Sequence, residues 1–202
     1  MPQKPLVILA HEIYGVNSHM KKIARLIKMA GYDVVTPNLL GDGEVYTLQE
    51  AKTAYEQFTR HERLKIGEII IQNLIRQNAG RRIFVIGFSA GATIAWKCSR
   101  MPEVSGAVCY YGSRIRDSLD HIPACPVLLF FPSYEPSFDV ALLIKKLREK
   151  QHPQLTIYQF DALHGFANPD SVYFDRSLFF KTLSIIKNEA EKPPRPVLSK
   201  FF

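Results

Sequence analysis

The sequence of 202 residues lacks any long hydrophobic run, and none of its apolar stretches approaches the ~18 residues that a bilayer-spanning helix needs. Its N-terminus also lacks the apolar core of a signal peptide, because residues 1–5 read MPQKP and lead straight into a strand-like run. We therefore expect a cytoplasmic protein with no membrane partner.

Cysteine is scarce, and the three that occur are Cys98, Cys109 and Cys125. Their number is odd and their spacing does not match a metal site. We therefore expect buried, reduced thiols and no bound metal. The sequence also contains no P-loop, no G-x-G-x-x-G after its first strand and no H-E-x-x-H. These absences argue against nucleotide, dinucleotide and zinc-protease chemistry, and no cofactor is expected.

Acidic residues are outnumbered, with 19 Asp and Glu against 26 Lys and Arg and a net charge of +7. Such a balance can indicate a nucleic-acid surface. Here the basic residues are scattered over amphipathic helical patterns, as at 21–28 and 145–150, and no basic stretch is interleaved with aromatic residues. We expect a small-molecule partner rather than a nucleic acid, in a monomer or a homodimer.

Strand-like and helix-like segments alternate along the whole chain. Six apolar runs have the length and composition of buried strands; they lie at 6–10, 33–36, 82–86, 104–111, 126–131 and 155–160. Strands separated by helices demand parallel pairing with right-handed crossovers. The sequence thus predicts one α/β domain over 5–191, with helices on both faces of the sheet, followed by a proline-rich tail at 192–202.

Helix boundaries are marked by capping residues. Asn17 can cap a helix whose predicted apolar face contains Ile23, Leu26, Ile27 and Ala30. Residues 47–50 read TLQE, a capping box that opens a long helical region, and a break is expected near 59–61. Another helix is predicted from roughly 139 to 150.

Residues 87–91 read GFSAG, a G-x-S-x-G pentapeptide between a predicted strand and a predicted helix. In that context the pattern indicates a nucleophile elbow, in which the glycines permit a sharp turn that holds the serine hydroxyl exposed. Ser89 is therefore the candidate nucleophile.

A serine nucleophile needs a base within hydrogen-bond reach and an acid that orients the base. In α/β-hydrolases these follow in the order Ser, acid, His. His164 lies just beyond the last predicted strand, at the edge of the sheet where the elbow lies. The preferred acid is Glu135, in the loop after strand 126–131; Asp139 is the second choice, since helix capping alone would explain it.

An oxyanion hole needs two backbone N–H groups aimed at the developing negative charge. Ala90, which follows the nucleophile, should supply one, and Ile13, in the loop after the first strand, should supply the other. Glu12 directly precedes Ile13, so we expect it to belong to the site rather than to be only a solvated loop residue.

Four segments together resemble the dienelactone hydrolase family of α/β-hydrolases: AHEIYGVN at 10–17, GFSAG at 87–91, YYG at 110–112 and HGF at 164–166. The resemblance extends over about residues 5–190. It implies a three-layer α/β-hydrolase sandwich with a shortened sheet of about six strands. It also implies Ser89 as nucleophile, His164 as base, Glu135 as acid, and a Glu12 that contacts the nucleophile region.

The chain departs from that family at informative positions. Dienelactone hydrolases proper carry cysteine where this chain has Ser89, and their acid is usually aspartate. They bind a substrate carboxylate with arginines, one of which falls where this chain has 41–43 (GDG) and another where it has Asn168. These departures favour a general carboxylic ester hydrolase over an enzyme for dienelactone itself.

The leading hypothesis is a serine hydrolase that cleaves a small ester, lactone or thioester through an acyl-enzyme. One alternative is a ligand-binding protein without catalytic activity on a hydrolase scaffold, because a fold alone does not determine function. Another is a peptidase or acyl-transferase that uses the same three residues.

Overall fold

A computed structural model describes residues 3–41 and 43–190, and the predicted tail at 192–202 lies outside this range. The strands are β1 (Leu6–Ala10), β2 (Asp33–Val35), β3 (Ile83–Phe88), β4 (Val104–Tyr110), β5 (Val127–Pro132) and β6 (Leu155–Phe160). The α-helices are α1 (Ser18–Met29), α2 (Ala51–Arg60), α3 (Arg63–Gln77), α4 (Ala90–Cys98), α5 (Val140–Glu149) and α6 (Arg176–Ala190). Short 3-10 turns occupy Leu48–Glu50 and Ser113–Asp117.

The strands of the described residues form one sheet in the order β2-β1-β3-β4-β5-β6, and every neighbouring pair is parallel. The predicted parallel sheet of six strands is therefore confirmed. Central strands are apolar throughout because both of their faces are covered, as the fully buried β1 and β5 illustrate.

Two apolar cores lie on opposite faces of this sheet. The side chains of α3, α4 and α5 pack on one face, where Ile8, Val85 and Leu129 point toward them. The side chains of α1 and α6 pack on the other face against alternate residues of the same strands, including Phe88 and Phe130. This arrangement confirms the three-layer α/β sandwich.

The buried face of α1 matches the predicted one at Ile23 and Ile27 but not at Leu26 and Ala30, which are exposed. Asn17 caps the helix as expected, accepting a hydrogen bond from the Met20 N–H at 3.2 Å. The buried residues are His19, Met20 and Ile23, whereas Leu26 is 43% exposed. Because β2 is only three residues long, the second half of α1 has little sheet to cover, and burial is concentrated where the helix begins.

The capping box at 47–50 is present, with Glu50 Oε2 accepting the Thr47 N–H at 2.8 Å. The predicted break in the following helical region is also present, between α2 and α3. Glu62 takes a positive φ of 47° at this break. The chain changes direction there, and α3 begins as a separate helix. It packs against α4, where Gly67 leaves room for the Ile94 side chain.

The three cysteines are unpaired and buried, as predicted. Burial raises the pKa of the Cys98 and Cys125 thiols to about 12, so neither forms a reactive thiolate near neutral pH. Within 3–41 and 43–190, no helix combines the length and apolarity that crossing a bilayer requires.

The candidate functional residues all follow the carboxyl ends of parallel strands. Glu12 comes after β1, Ser89 after β3, Glu135 after β5 and His164 after β6. Because parallel strands end at the same edge of the sheet, this topology can bring residues 75 positions apart into contact.

Candidate active site

Ser89 occupies a strained turn between β3 and α4. Its backbone adopts φ 51° and ψ −111°, a region that costs a non-glycine residue about 1–3 kcal/mol. A side chain at Gly87 would overlap the Gly91 carbonyl, and one at Gly91 would overlap the Ala10 carbonyl. Both glycines are therefore required for this turn to pack against its neighbours.

His164 lies between Ser89 and Glu135. Its Nε2 is 3.1 Å from Ser89 Oγ, and its Nδ1 is 2.6 Å from Glu135 Oε1. A carboxylate only accepts hydrogen bonds, so Nδ1 carries the proton and Nε2 is left as the acceptor for the serine hydroxyl. The structure thus brings these three predicted residues together in the order that proton transfer from Ser89 requires.

Asp139, the alternative acid, has a different role. Its carboxylate accepts the Leu142 N–H at 2.9 Å and caps α5. Glu135 is buried with 6% exposure beside the imidazole, whereas Asp139 is used by the helix that follows. Asp161, three residues before His164, accepts a hydrogen bond from Ser133 Oγ at 3.3 Å and so joins the loops after β5 and β6.

The protonation of His164 is controlled by opposing effects. Burial disfavours the imidazolium, but the hydrogen bond to Glu135 and the negative charges of Glu135 and Glu12 outweigh it. Together they raise the pKa of His164 above its ordinary value. An imidazole of raised basicity is suited to accept the proton of a serine hydroxyl.

Ile13 and Ala90, the predicted oxyanion-hole donors, follow the carboxyl ends of the neighbouring strands β1 and β3. Ala90 is the first residue of α4, and Ile13 lies in the turn after β1. Within the described part of the chain, neither N–H donates to a protein acceptor. An oxyanion hole requires such unused donors, and the Ala90 N–H also lies at the positive end of the α4 dipole.

His11 fixes the loop that carries Ile13. It is fully buried, its Nδ1 contacts the Glu12 carbonyl, and its Nε2 accepts the Leu39 N–H at 2.8 Å. Burial lowers the pKa of His11, which keeps the ring neutral so that one nitrogen donates and the other accepts. His11 thereby ties the loop after β1 to the loop after β2.

Glu12 lies at the centre of a buried polar cluster, which we define as Glu12, His19, Tyr111 and Asn168. Its carboxylate is 4% exposed, accepts the Asn168 amide at 3.0 Å and lies 3.6 Å from His19 Nδ1. Burial favours the neutral acid, but interactions with His19, His164 and Tyr111 lower the pKa of Glu12 on balance. Glu12 is therefore an anion inside the protein, and its nearest hydrogen-bond partner is Asn168 rather than Ser89.

Tyr111, the fourth member of this cluster, packs its ring against the imidazole of His164. Its ring centroid is 4.7 Å from that of His164, it is fully buried, and its backbone has a positive φ of 43°. Burial, reinforced by the charge of Glu12, raises the pKa of Tyr111 well above its usual value. The phenol remains neutral and provides a rigid wall against which the imidazole packs.

The sequence reasoning missed His19 and undervalued Asn168. His19 lies four residues before Ile23, and this spacing is the one signal that puts it on the buried face of α1. Asn168 was noted only as the replacement of an arginine. No local pattern indicates that its amide would reach Glu12, which is 156 residues away in the chain.

Comparison with known proteins identifies the family of this chain. A family model described as "Dienelactone hydrolase family" matches residues 1–191. The chain is 85% identical over 199 residues to the uncharacterized protein YczH of Bacillus subtilis (strain 168), a match that covers 98% of each protein.

The chain also matches a more distant relative in sequence and a solved structure in fold. A Salmonella typhi protein that carries the provisional name carboxymethylenebutenolidase is 25% identical over 132 residues, which are 61% of this chain and 48% of that protein. The chain thus spans about half the length of this relative. The crystal structure of a provisionally named dienelactone hydrolase from Klebsiella pneumoniae superimposes with a TM-score of 0.75 at 19% identity, covering 95% of this chain and 88% of the other.

Proposed function

Because this chain belongs to the dienelactone hydrolase family, we propose that it is a serine hydrolase that cleaves small carboxylic esters, lactones or thioesters through an acyl-enzyme. The observation that carries this proposal is the continuous contact from Ser89 Oγ through His164 to Glu135. A serine hydroxyl is a weak nucleophile until such a base removes its proton.

In the first half of the proposed reaction, Ser89 Oγ attacks the carbonyl carbon while its proton moves to His164 Nε2. The carbonyl oxygen becomes an oxyanion held by the N–H groups of Ile13 and Ala90. Glu135 holds the imidazole and stabilises the imidazolium. When the tetrahedral intermediate collapses, His164 returns the proton to the leaving alcohol or thiol, and the acyl group remains on Ser89.

In the second half, His164 Nε2 accepts a proton from water as the water oxygen attacks the acyl carbon. The same donors hold the second oxyanion. Its collapse releases the carboxylic acid, and the proton goes back to Ser89 Oγ. Every proton is accounted for by these three side chains and water, so the proposal needs no cofactor.

The substrate we propose is an ester without an anionic tail close to the scissile bond. Asn168 stands where the resemblance places an arginine for a substrate carboxylate, and its amide is occupied by Glu12 at 3.0 Å. The ionised Glu12 adds negative charge to this side of the site. For these reasons we expect the substrate implied by the name of the Salmonella relative to be a poor one for this chain.

The first test is covalent labelling with a fluorophosphonate probe, in which Ser89 Oγ displaces fluoride from phosphorus. The native protein should label, and Ser89→Ala should not label and should lose on the order of 10⁶-fold in kcat on p-nitrophenyl acetate. Ser133→Ala, at an exposed serine in the Glu135 loop, is the matched control and should label normally.

A ligand-binding protein without catalytic activity gives a different result. It would turn over no activated ester, and Ser89→Ala would retain ligand binding. Failure of the native protein to label, or labelling that persists in Ser89→Ala, would therefore overturn the proposal.

A further inference from the structure

The two edges of the sheet differ in how they are protected. β2 is three residues long and begins at Asp33, which pairs with Arg81. β6, at the other edge, is six residues long, reads LTIYQF and contains no charge and no proline. Natural sheets normally protect an edge by shortness, charge or proline, so β6 is the edge that remains suited to pairing.

The backbone groups that face this edge follow from the pairing of β6 with β5. The Val127 N–H donates to the Gln154 carbonyl at 2.8 Å, so residue 154 and every second residue after it face β5. Leu155, Ile157 and Gln159 therefore direct their backbone groups outward. The Leu155 N–H is used by the His152 carbonyl at 3.0 Å, which leaves two donors and three acceptors on the edge.

We propose that β6 pairs antiparallel with β6 of a second copy of this chain, about a two-fold axis at Ile157. In this register Ile157 of each copy donates to and accepts from Ile157 of the other, and each Gln159 N–H donates to the Leu155 carbonyl of the other. These four bonds use both outward donors of each chain. The one outward acceptor left over is the Gln159 carbonyl, whose counterpart is the Leu155 N–H already used in the turn.

Charge also favours a second copy in the antiparallel direction. The copies carry a net charge of +7 each, but residues 153–160 carry none, so the interface itself brings no like charges together. The exposed Asp161 ends the strand, while Arg148 and His152 lie at its beginning beside a cavity of about 440 Å³. Antiparallel pairing places the acidic end of each strand against the basic end of the other.

The side chains on one face of β6 fit the same arrangement. Leu155 and Ile157 are half-buried and line that cavity beside Leu147 of α5. Pairing at Ile157 would cover both isoleucines with each other, and cross-strand β-branched pairs stabilise sheets. The two sheets would then form one sheet of twelve strands in which the edges that carry Ser89 point in opposite directions, so both sites stay open.

Oligomeric state tests this proposal independently of catalysis. The wild-type chain of 23.0 kDa should sediment as a dimer at micromolar concentration. Gln159→Pro removes an outward N–H without touching a bond to β5, and it should raise the dissociation constant by about 100-fold, because two of four hydrogen bonds are lost. Gln159→Ala is the matched control: it keeps the N–H and should remain a dimer. Both variants should keep wild-type esterase activity.

A cysteine pair tests the register without relying on destabilisation. Hydrogen-bonded antiparallel neighbours have Cα atoms about 5.5 Å apart, within disulfide range. Ile157→Cys should therefore form a covalent dimer on mild oxidation, whereas Gln159→Cys, which lies opposite Leu155, should not. A wild-type chain that is still monomeric at about 100 µM, where a dimer of micromolar Kd would be mostly formed, or a dimer that Gln159→Pro leaves intact, would overturn the proposal.

Discussion

The loops after β1 and β5 each bring one buried carboxylate toward His164, but they hold it in different ways. Glu135 contacts the imidazole directly, 2.6 Å from Nδ1. Glu12 contacts the Asn168 amide and affects His164 through its charge alone. The contrast separates two tasks, since orienting the ring requires contact and raising its basicity requires only nearby charge.

The two loops also differ in how firmly each carboxylate is surrounded. Glu12 lies two residues beyond β1, and its neighbour His11 is hydrogen-bonded to the loop after β2. Glu135 lies three residues beyond β5, before the Asp139 cap of α5. Both carboxylates are buried, but the loop of Glu12 is tied to a second loop through His11, whereas Glu135 lies between the end of β5 and the cap of α5 and contacts His164.

The largest effect should come from removing the charge that contacts the ring. Glu135→Gln should lower kcat on a p-nitrophenyl ester by on the order of 10³- to 10⁴-fold, because the amide can stabilise the wrong tautomer of His164 and no longer compensates the imidazolium. Asp161→Asn, at the exposed acid near the same loop, is the control and should remain within about twofold of wild type. A loss of less than tenfold in Glu135→Gln would mean that Glu135 does not orient the base.

A smaller effect should come from the carboxylate that acts through space. Glu12→Gln can still accept the Asn168 amide through its side-chain oxygen, so only the charge is lost. We expect kcat/KM at pH 8 to fall by no more than about tenfold, which corresponds to about 1.4 kcal/mol of transition-state stabilisation.

The pH profile separates this effect from a structural one. Catalysis needs neutral His164, so activity falls as pH drops through the His164 pKa, which is raised in the wild type. Without the Glu12 charge that pKa decreases, and the acidic limb of the kcat/KM profile should move to lower pH. The measurement is kcat/KM from pH 5 to about 9. An acidic limb that stays in place or moves upward would contradict the role assigned to Glu12.

Much of this comparison could be predicted from local sequence patterns. The elbow needs glycines at fixed offsets, and the order of Ser89, Glu135 and His164 along the chain follows from strand ends that meet at one edge of a sheet. The parallel sheet followed from continuous apolar runs separated by helices. Such features depend on residues close in sequence or on topology, and both are visible without coordinates.

The buried polar cluster could not be predicted in the same way. His19 lies one turn before the predicted apolar face of α1, and its polar role depends on which side chains of other elements surround that first turn. The contact of Asn168 with Glu12 joins opposite ends of the chain. Its formation depends on how α1 and the loop after β6 pack together, which no local pattern specifies.

The smallest effect on activity should come from Asp139, the acid that the sequence left as an alternative to Glu135. Asp139→Ala should keep kcat within about twofold of wild type, because this carboxylate caps α5 and does not reach His164. It should lower the free energy of unfolding by about 1 kcal/mol in urea titrations, the usual cost of a lost helix cap. Asp139→Asn preserves a side-chain oxygen for the Leu142 N–H and should be close to wild type in both measurements. If Asp139→Ala instead lost activity as severely as Glu135→Gln while remaining folded, the division of roles between these two acids would be wrong.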